Sequence, residues 1–113
     1  MGFSILLEQR ERKREELREK ALKEAKELSF ALIERFSYEK LYLFGSALKK
    51  GTFTPHSDLD LVVKGLDEQF FLKAYAFLIK ESRFPVDLKP WESLNDSVKK
   101  KVKKEGMLLY GKR

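Results

Sequence analysis

Residues Leu41 to Val63 read LYLFGSALKKGTFTPHSDLDLVV, and this stretch decides the fold. Leu41 to Phe44 is short, apolar and aromatic and stops at a glycine, which predicts a buried strand. Gly45 then permits a sharp turn, and without a Cβ it lets an anionic group come close to the backbone. Ser46 adds a hydroxyl, and the opening of a short helical turn adds amides with no partner inside the helix, so the turn offers a cradle for phosphate. After a polar loop, SDLDLVV alternates: on a strand, Asp58 and Asp60 share one face while Leu59 and Leu61 share the other. Two adjacent carboxylates repel unless a cation lies between them. Hard divalent ions with oxygen ligands, above all magnesium with a phosphate co-ligand, suit such a pair.

The composition of the rest removes competing chemistries. The chain has 113 residues, no cysteine and a single histidine, His56, which excludes disulfides, thiol nucleophiles and zinc centres built from Cys and His. Its length predicts one domain over residues 1–113. No apolar run approaches the roughly 18 residues of a membrane span, so a cytoplasmic protein with no membrane contact is expected. The net charge of +6 suits a phosphate-bearing ligand. It is a weaker sign of nucleic acid, because Lys, Arg and Glu are mixed along the chain. Aspartate is scarce, five in all, and three of the five, Asp58, Asp60 and Asp87, lie in or beside apolar runs.

Upstream, residues 5–36 read as one long helix, with Leu17, Ala21, Leu28, Leu32 and Phe36 at helical spacing. Glu8 to Glu16 is almost wholly charged, with Glu8–Arg12 and Glu16–Lys20 as i,i+4 pairs. Before it, Phe3, Ile5, Leu6 and Leu7 form an apolar tip that either takes cover from another subunit or partner, or frays. Downstream, Asp67 can cap a helix over residues 68–82 whose face of Phe70, Phe71, Ala74, Phe77 and Leu78 reads as core. FPVDL, residues 84–88, is a third strand, with Pro85 suiting an edge or a strand start. Propensity disfavours Asp87 in a strand. It is either an exposed edge carboxylate or a third ligand facing Asp58 and Asp60. Asn95 or Ser93 can cap a last helix to Glu105, ended by Gly106 and followed by a short strand, Met107 to Tyr110. Lys99, Lys100, Lys101, Lys103 and Lys104 are a solvated face or a patch for nucleic acid or an acidic partner. This order predicts an α/β (α+β) fold with helices packed on a small mixed β-sheet.

Gly45-Ser46, Gly51 and Ser57-Asp58-Leu59-Asp60 resemble the GS…DxD motif of nucleotidyltransferases related to DNA polymerase beta. Among these they most resemble the small minimal nucleotidyltransferases of bacteria and archaea, and the ending KKEGMLLYG resembles the family's close. Eleven residues separate Ser46 from Asp58, where the family has about ten. The extra residue falls within Ala47 to Lys50, so either Lys49 or Lys50 stands for the usual arginine.

The resemblance implies a polymerase beta-like nucleotidyltransferase fold, with an N-terminal helix over 1–36 and a catalytic core over 38–113. It implies two Mg2+ ions, or Mn2+, held by Asp58, Asp60 and Asp87, with Asp87 also taking the proton of the acceptor hydroxyl. Gly45, Ser46, Ser57 and Lys49 or Lys50 would bind the nucleotide phosphates. His56 stands beside the acidic pair in a loop role or near metal-bound water, and Tyr42, Phe44 and Phe53 are candidates for base stacking. The implied reaction transfers a nucleoside monophosphate, AMP from ATP, to a hydroxyl and releases pyrophosphate. Family members often serve as the antitoxin of a toxin–antitoxin pair, beside an all-helical HEPN-type partner whose tyrosine takes AMP; a homo-oligomer is also compatible with so small a chain. Two other functions stay open at this point. One is an inactive antitoxin or binding module that neutralises its partner by contact. The other is an RNA-directed nucleotidyltransferase or RNA-binding domain using the Lys99 to Lys104 face.

Overall fold

The computed structural model describes residues 2–112, with side chains from Ser4 onward; Phe3 of the predicted tip lies outside the described side chains. Alternation along β1 (Lys40–Phe44) buries Leu41 and Leu43 on one face and turns Tyr42 to the other. The same rule on β2 (Leu59–Lys64) buries Leu59, Leu61 and Val63 together with them. β1 and β2 are antiparallel, and β2 runs parallel to β3 (Val86–Pro90) through a crossover over α2 (Phe71–Glu81). β4 (Met107–Tyr110) pairs with the other edge of β1, giving the order β3-β2-β1-β4 in a mixed sheet.

One face of this sheet is closed by α2 and by α1 (Gly2–Arg35). The stripe Ala21, Ala25, Leu28 and Leu32 of α1 and Ala74 and Leu78 of α2 are buried against it, as the helical spacing predicts. The opposite face carries a smaller cluster, in which Tyr42, Val62 and Trp91 pack with Val102 of α3 (Asp96–Glu105). α3 covers only part of that face. The row Phe44, Asp60 and Asp87 stays half-buried at its margin.

Local chemistry sets the boundaries. Asp67 accepts from the Gln69 amide at 3.1 Å and opens a 3-10 turn, Glu68–Phe70, ahead of α2. Asn95, rather than Ser93, caps α3 by accepting from the Val98 amide at 2.8 Å. β3 begins two residues later than FPVDL suggests, because the Ser82 hydroxyl binds both the amide and the carbonyl of Phe84 and holds a turn there. Pro85 then sits at the sheet edge, its carbonyl accepting from the Leu59 amide at 2.8 Å.

At about 1.5 Å per residue, the 34 residues of α1 run nearly the whole 56 Å length of the molecule. Burial begins at Glu15, Leu17 and Arg18, so the first third projects from the body, and Ile5, Leu6 and Leu7 at its tip are exposed. The expected Glu8–Arg12 and Glu16–Lys20 pairs are not closed; Arg18 instead binds Glu15 at 2.8 Å. Exposed pairs gain too little against solvation and side-chain entropy to hold a fixed geometry. No helix among the described residues is long and apolar enough to cross a membrane.

Tyr38, between α1 and β1, is buried and donates to the Ser29 carbonyl at 2.8 Å. Burial, then the charge of Tyr110, push its phenol above its ordinary value of 10.0. The sign follows from linkage: an acid raised in the folded state contributes stability that is whole below pH 10 and is lost as pH climbs beyond it. Tyr38→Phe should cost about 1 kcal/mol at neutral pH. It should also flatten the loss of stability above pH 10 in urea titrations.

Candidate active site

The turn after β1 is shaped around one carboxylate. Gly45 has φ 87° and ψ −150°, a region open almost only to glycine. A Cβ there would collide with Oδ2 of Asp60. The register explains the closeness, since Phe44 is paired with Asp60, and Asp60 with Asp87 on the parallel strand. Ser46 opens a 3-10 turn, Ser46–Leu48, tied by Leu48 N to the Gly45 carbonyl at 3.1 Å and by Thr52 Oγ1 to the Ser46 carbonyl at 2.7 Å. Arg18 of α1 donates to the Leu48 carbonyl at 3.2 Å, so the long helix braces the turn.

In front of it lies an open cleft of about 620 Å³ lined by Phe44, Gly45, Ser46, Lys49, Thr52 and Lys101, among others. That volume is in the range of small-molecule sites, roughly 300–1,000 Å³. Of the two candidate lysines, Lys49 lines this cleft, whereas Lys50 lines a groove with Glu8, Glu11 and Glu15 of α1. Ser57 is turned to its own loop: its hydroxyl accepts from the Thr54 amide at 3.0 Å. His56 is exposed and its amide donates to Thr54 Oγ1 at 3.3 Å. Of the three stacking candidates, Tyr42 stacks on Trp91 at 5.8 Å and Phe53 is buried against Phe84. Phe44 alone of them reaches the cleft.

The carboxylates are adjacent but strained. Burial, then the charges of Asp87 and Asp58, push the Asp60 carboxyl above the usual aspartate value, with Lys89 opposing. Asp87 is drawn to Lys89, whose Nζ lies 2.6 Å from Oδ2. That hydrogen bond, with the charges of Asp87 and Asp60, holds the Lys89 ammonium above its ordinary value. Asp58 sits just before β2 and is exposed. Among the described residues no three Asp, Glu or His side chains converge as a preformed metal-binding group. A set of hard oxygen donors that raises its own central pKa is chemically suited to a divalent cation.

The model of the nucleotidyltransferase domain matches residues 25–109. The chain belongs to the nucleotidyltransferase domain family. Solved structures agree on the fold. A toxin–antitoxin structure with AMP-PNP aligns at TM-score 0.65 and 25% identity, over 78% of this chain and 74% of that one. A single-substitution variant of a toxin–antitoxin complex containing MntA aligns at 0.58 and 27%, over 74% and 70%. A tri-AMPylated Shewanella oneidensis HEPN toxin in complex with MNT antitoxin aligns at 0.55 and 21%, over 84% and 73%. No curated protein matches the chain. The resemblance drawn from GS…DxD is thereby borne out at the level of family and fold.

Two side chains of the candidate site escape the motif. By sequence Lys101 belongs to a uniform lysine face, but α3 divides that face. Lys101 lines the cleft with its Nζ 5.9 Å from the Phe44 ring, while Lys99 and Lys103 turn to Trp91 at 6.0 and 5.9 Å. Lys89 follows Asp87 by two residues on β3, and strand alternation alone places both on one face.

Proposed function

We propose that this nucleotidyltransferase-domain protein transfers AMP from ATP to a hydroxyl of a helical protein partner, as the antitoxin of a toxin–antitoxin pair. The observation that carries the reading is the fit of Gly45 to Asp60: the phosphate-cradling turn and the central carboxylate are built as one unit. The relatives support the biology, one structure holding AMP-PNP and another a tri-AMPylated HEPN toxin beside its antitoxin.

In this reading Asp58, Asp60 and Asp87 hold two divalent ions, Mg2+ or Mn2+, which supply neutralisation of the triphosphate and a lowered pKa for the acceptor hydroxyl. Ser46 and the first amides of its turn grip the terminal phosphates. Lys49 and Lys101, which both line the cleft, add charge, Phe44 offers a ring beside Lys101, and Asp87 takes the acceptor's proton. Gly45 keeps the backbone close enough for both phosphate and Asp60. The projecting third of α1, with Ile5, Leu6 and Leu7 exposed, provides the contact surface for the partner.

The test is labelling with ATP radioactive at the α-phosphate. The protein, MgCl2 and the protein encoded beside it are mixed, and label is expected on a partner tyrosine. Label that survives replacement of both Asp58 and Asp60 by Asn sinks the proposal. So does a stable complex that shows no labelling with any of the four nucleotides, which would leave neutralisation by contact.

A further inference from the structure

Lys89 occupies a particular place in the acidic row. The parallel register sets Asp60 beside Asp87 and Val62 beside Lys89, and the period of two brings Lys89 to the face that carries both carboxylates. Its neighbour Val62 is buried and apolar, so the side chain folds back along β3 and its Nζ reaches Asp87 Oδ2 at 2.6 Å. Around Asp60, Asp58 and Asp87 oppose ionisation while Lys89 favours it. The contact is also easily exchanged. The Lys89 side chain is 54% exposed, and a lysine with its stem on the sheet can swing its charged end into water without leaving a buried ion behind.

We infer that Lys89 is a tethered counter-cation of the Asp60–Asp87 pair, which holds the place of a divalent ion until one arrives and, by having to give way, sets the affinity of the site for metal. The inference rests on the proposal that Asp58, Asp60 and Asp87 bind divalent ions. A carboxylate pair without any cation would spread, and one with a fixed cation would never load. A mobile lysine two residues from its ligand keeps the oxygens near one another and leaves when a stronger charge enters. Because one positive charge competes directly with the ion, its removal strengthens binding.

The test is direct titration with Mn2+, free ion being followed by electron paramagnetic resonance, on the purified chain without nucleotide or partner. Lys89→Met keeps the stem and removes the charge; Lys89→Arg keeps the charge. Lys89→Met should bind Mn2+ about tenfold more tightly than wild type, the scale of removing one competing charge from a half-exposed site. Lys89→Arg should stay near wild type. The melting temperature of Lys89→Met should fall without metal and rise more steeply on adding Mn2+. Unchanged or weaker Mn2+ binding in Lys89→Met, with binding abolished by Asp60→Asn, overturns the role of Lys89 and leaves the metal site standing. If Mn2+ binding survives Asp60→Asn, or if neither wild type nor Lys89→Met binds Mn2+, the metal site falls and the counter-cation with it.

Discussion

Asp60→Asn is expected to abolish nucleotide transfer and at the same time to raise the melting temperature of the metal-free protein. The two effects have one cause. Asp60 sits between Phe44 and Asp87 in the sheet, half-buried, with burial and then the charges of Asp87 and Asp58 working against its ionised form. An acid whose folded pKa is raised contributes stability below its unfolded pKa and loses it as pH rises through the folded value. At neutral pH the ionised carboxylate is therefore a net cost to the fold, carried because the charge has work to do. Asparagine keeps the shape and removes the charge. Transfer should fall at least about a thousandfold, since several kcal/mol of charge stabilisation around the phosphate depend on the central ligand. In the presence of EDTA at pH 7.5, scanning calorimetry should show a gain of roughly 2–5 °C. Toward acid pH the gain should shrink, because Asp60, its carboxyl raised by burial and by the charge of Asp87, regains its proton ahead of an ordinary aspartate and then resembles the amide. A melting temperature lowered at both pH values would show that Asp60 is held by favourable contacts.

The sequence carried the frame of this site further than its furniture. Strand alternation around Asp58 and Asp60, the break at Gly45 and the carboxylate in FPVDL were legible because each is a local rule. The parallel register then places Asp87 beside Asp60. What local rules cannot supply is the direction of a long, flexible side chain. Lys49 and Lys50 are adjacent in sequence, yet one lines the cleft and the other faces the acidic stretch of α1. Ser57 reads as a phosphate ligand by its place before Asp58, but Thr54 engages its hydroxyl. The lysines of α3 look uniform along the chain and separate only when the helix is laid across Tyr42 and Val62, which sends Lys101 to one side and Lys103 to the other. The third strand starts two residues later than its hydrophobicity, which begins at Phe84, because pairing begins only where the Ser82 turn releases the chain.

Gly45→Ala should be the second severe variant, and Gly51→Ala is its control. Both glycines have positive φ, 87° and 83°, so alanine is strained at either, and at Gly45, whose ψ of −150° lies in a region open almost only to glycine, the backbone alone costs about 1–3 kcal/mol. They differ in what surrounds them. A Cβ at Gly51 meets nothing within 4 Å, whereas one at Gly45 collides with the Asp60 carboxylate. Gly51→Ala should therefore lose a few degrees of melting temperature and keep most of its transfer activity. Gly45→Ala must also move Asp60 or the turn that carries Ser46, and displacement of about 1 Å at a reacting centre costs roughly a hundredfold in rate. The further stability loss in Gly45→Ala should be partly recovered by adding Asp60→Ala, which removes the colliding atoms, while activity stays absent. Additive losses in that double variant would show that the two residues are not coupled. Equal loss of activity in Gly45→Ala and Gly51→Ala would place the fault in loop strain alone. A selective loss in Gly45→Ala ties phosphate binding and the central carboxylate to one missing methyl group, since the same absent Cβ makes room for both.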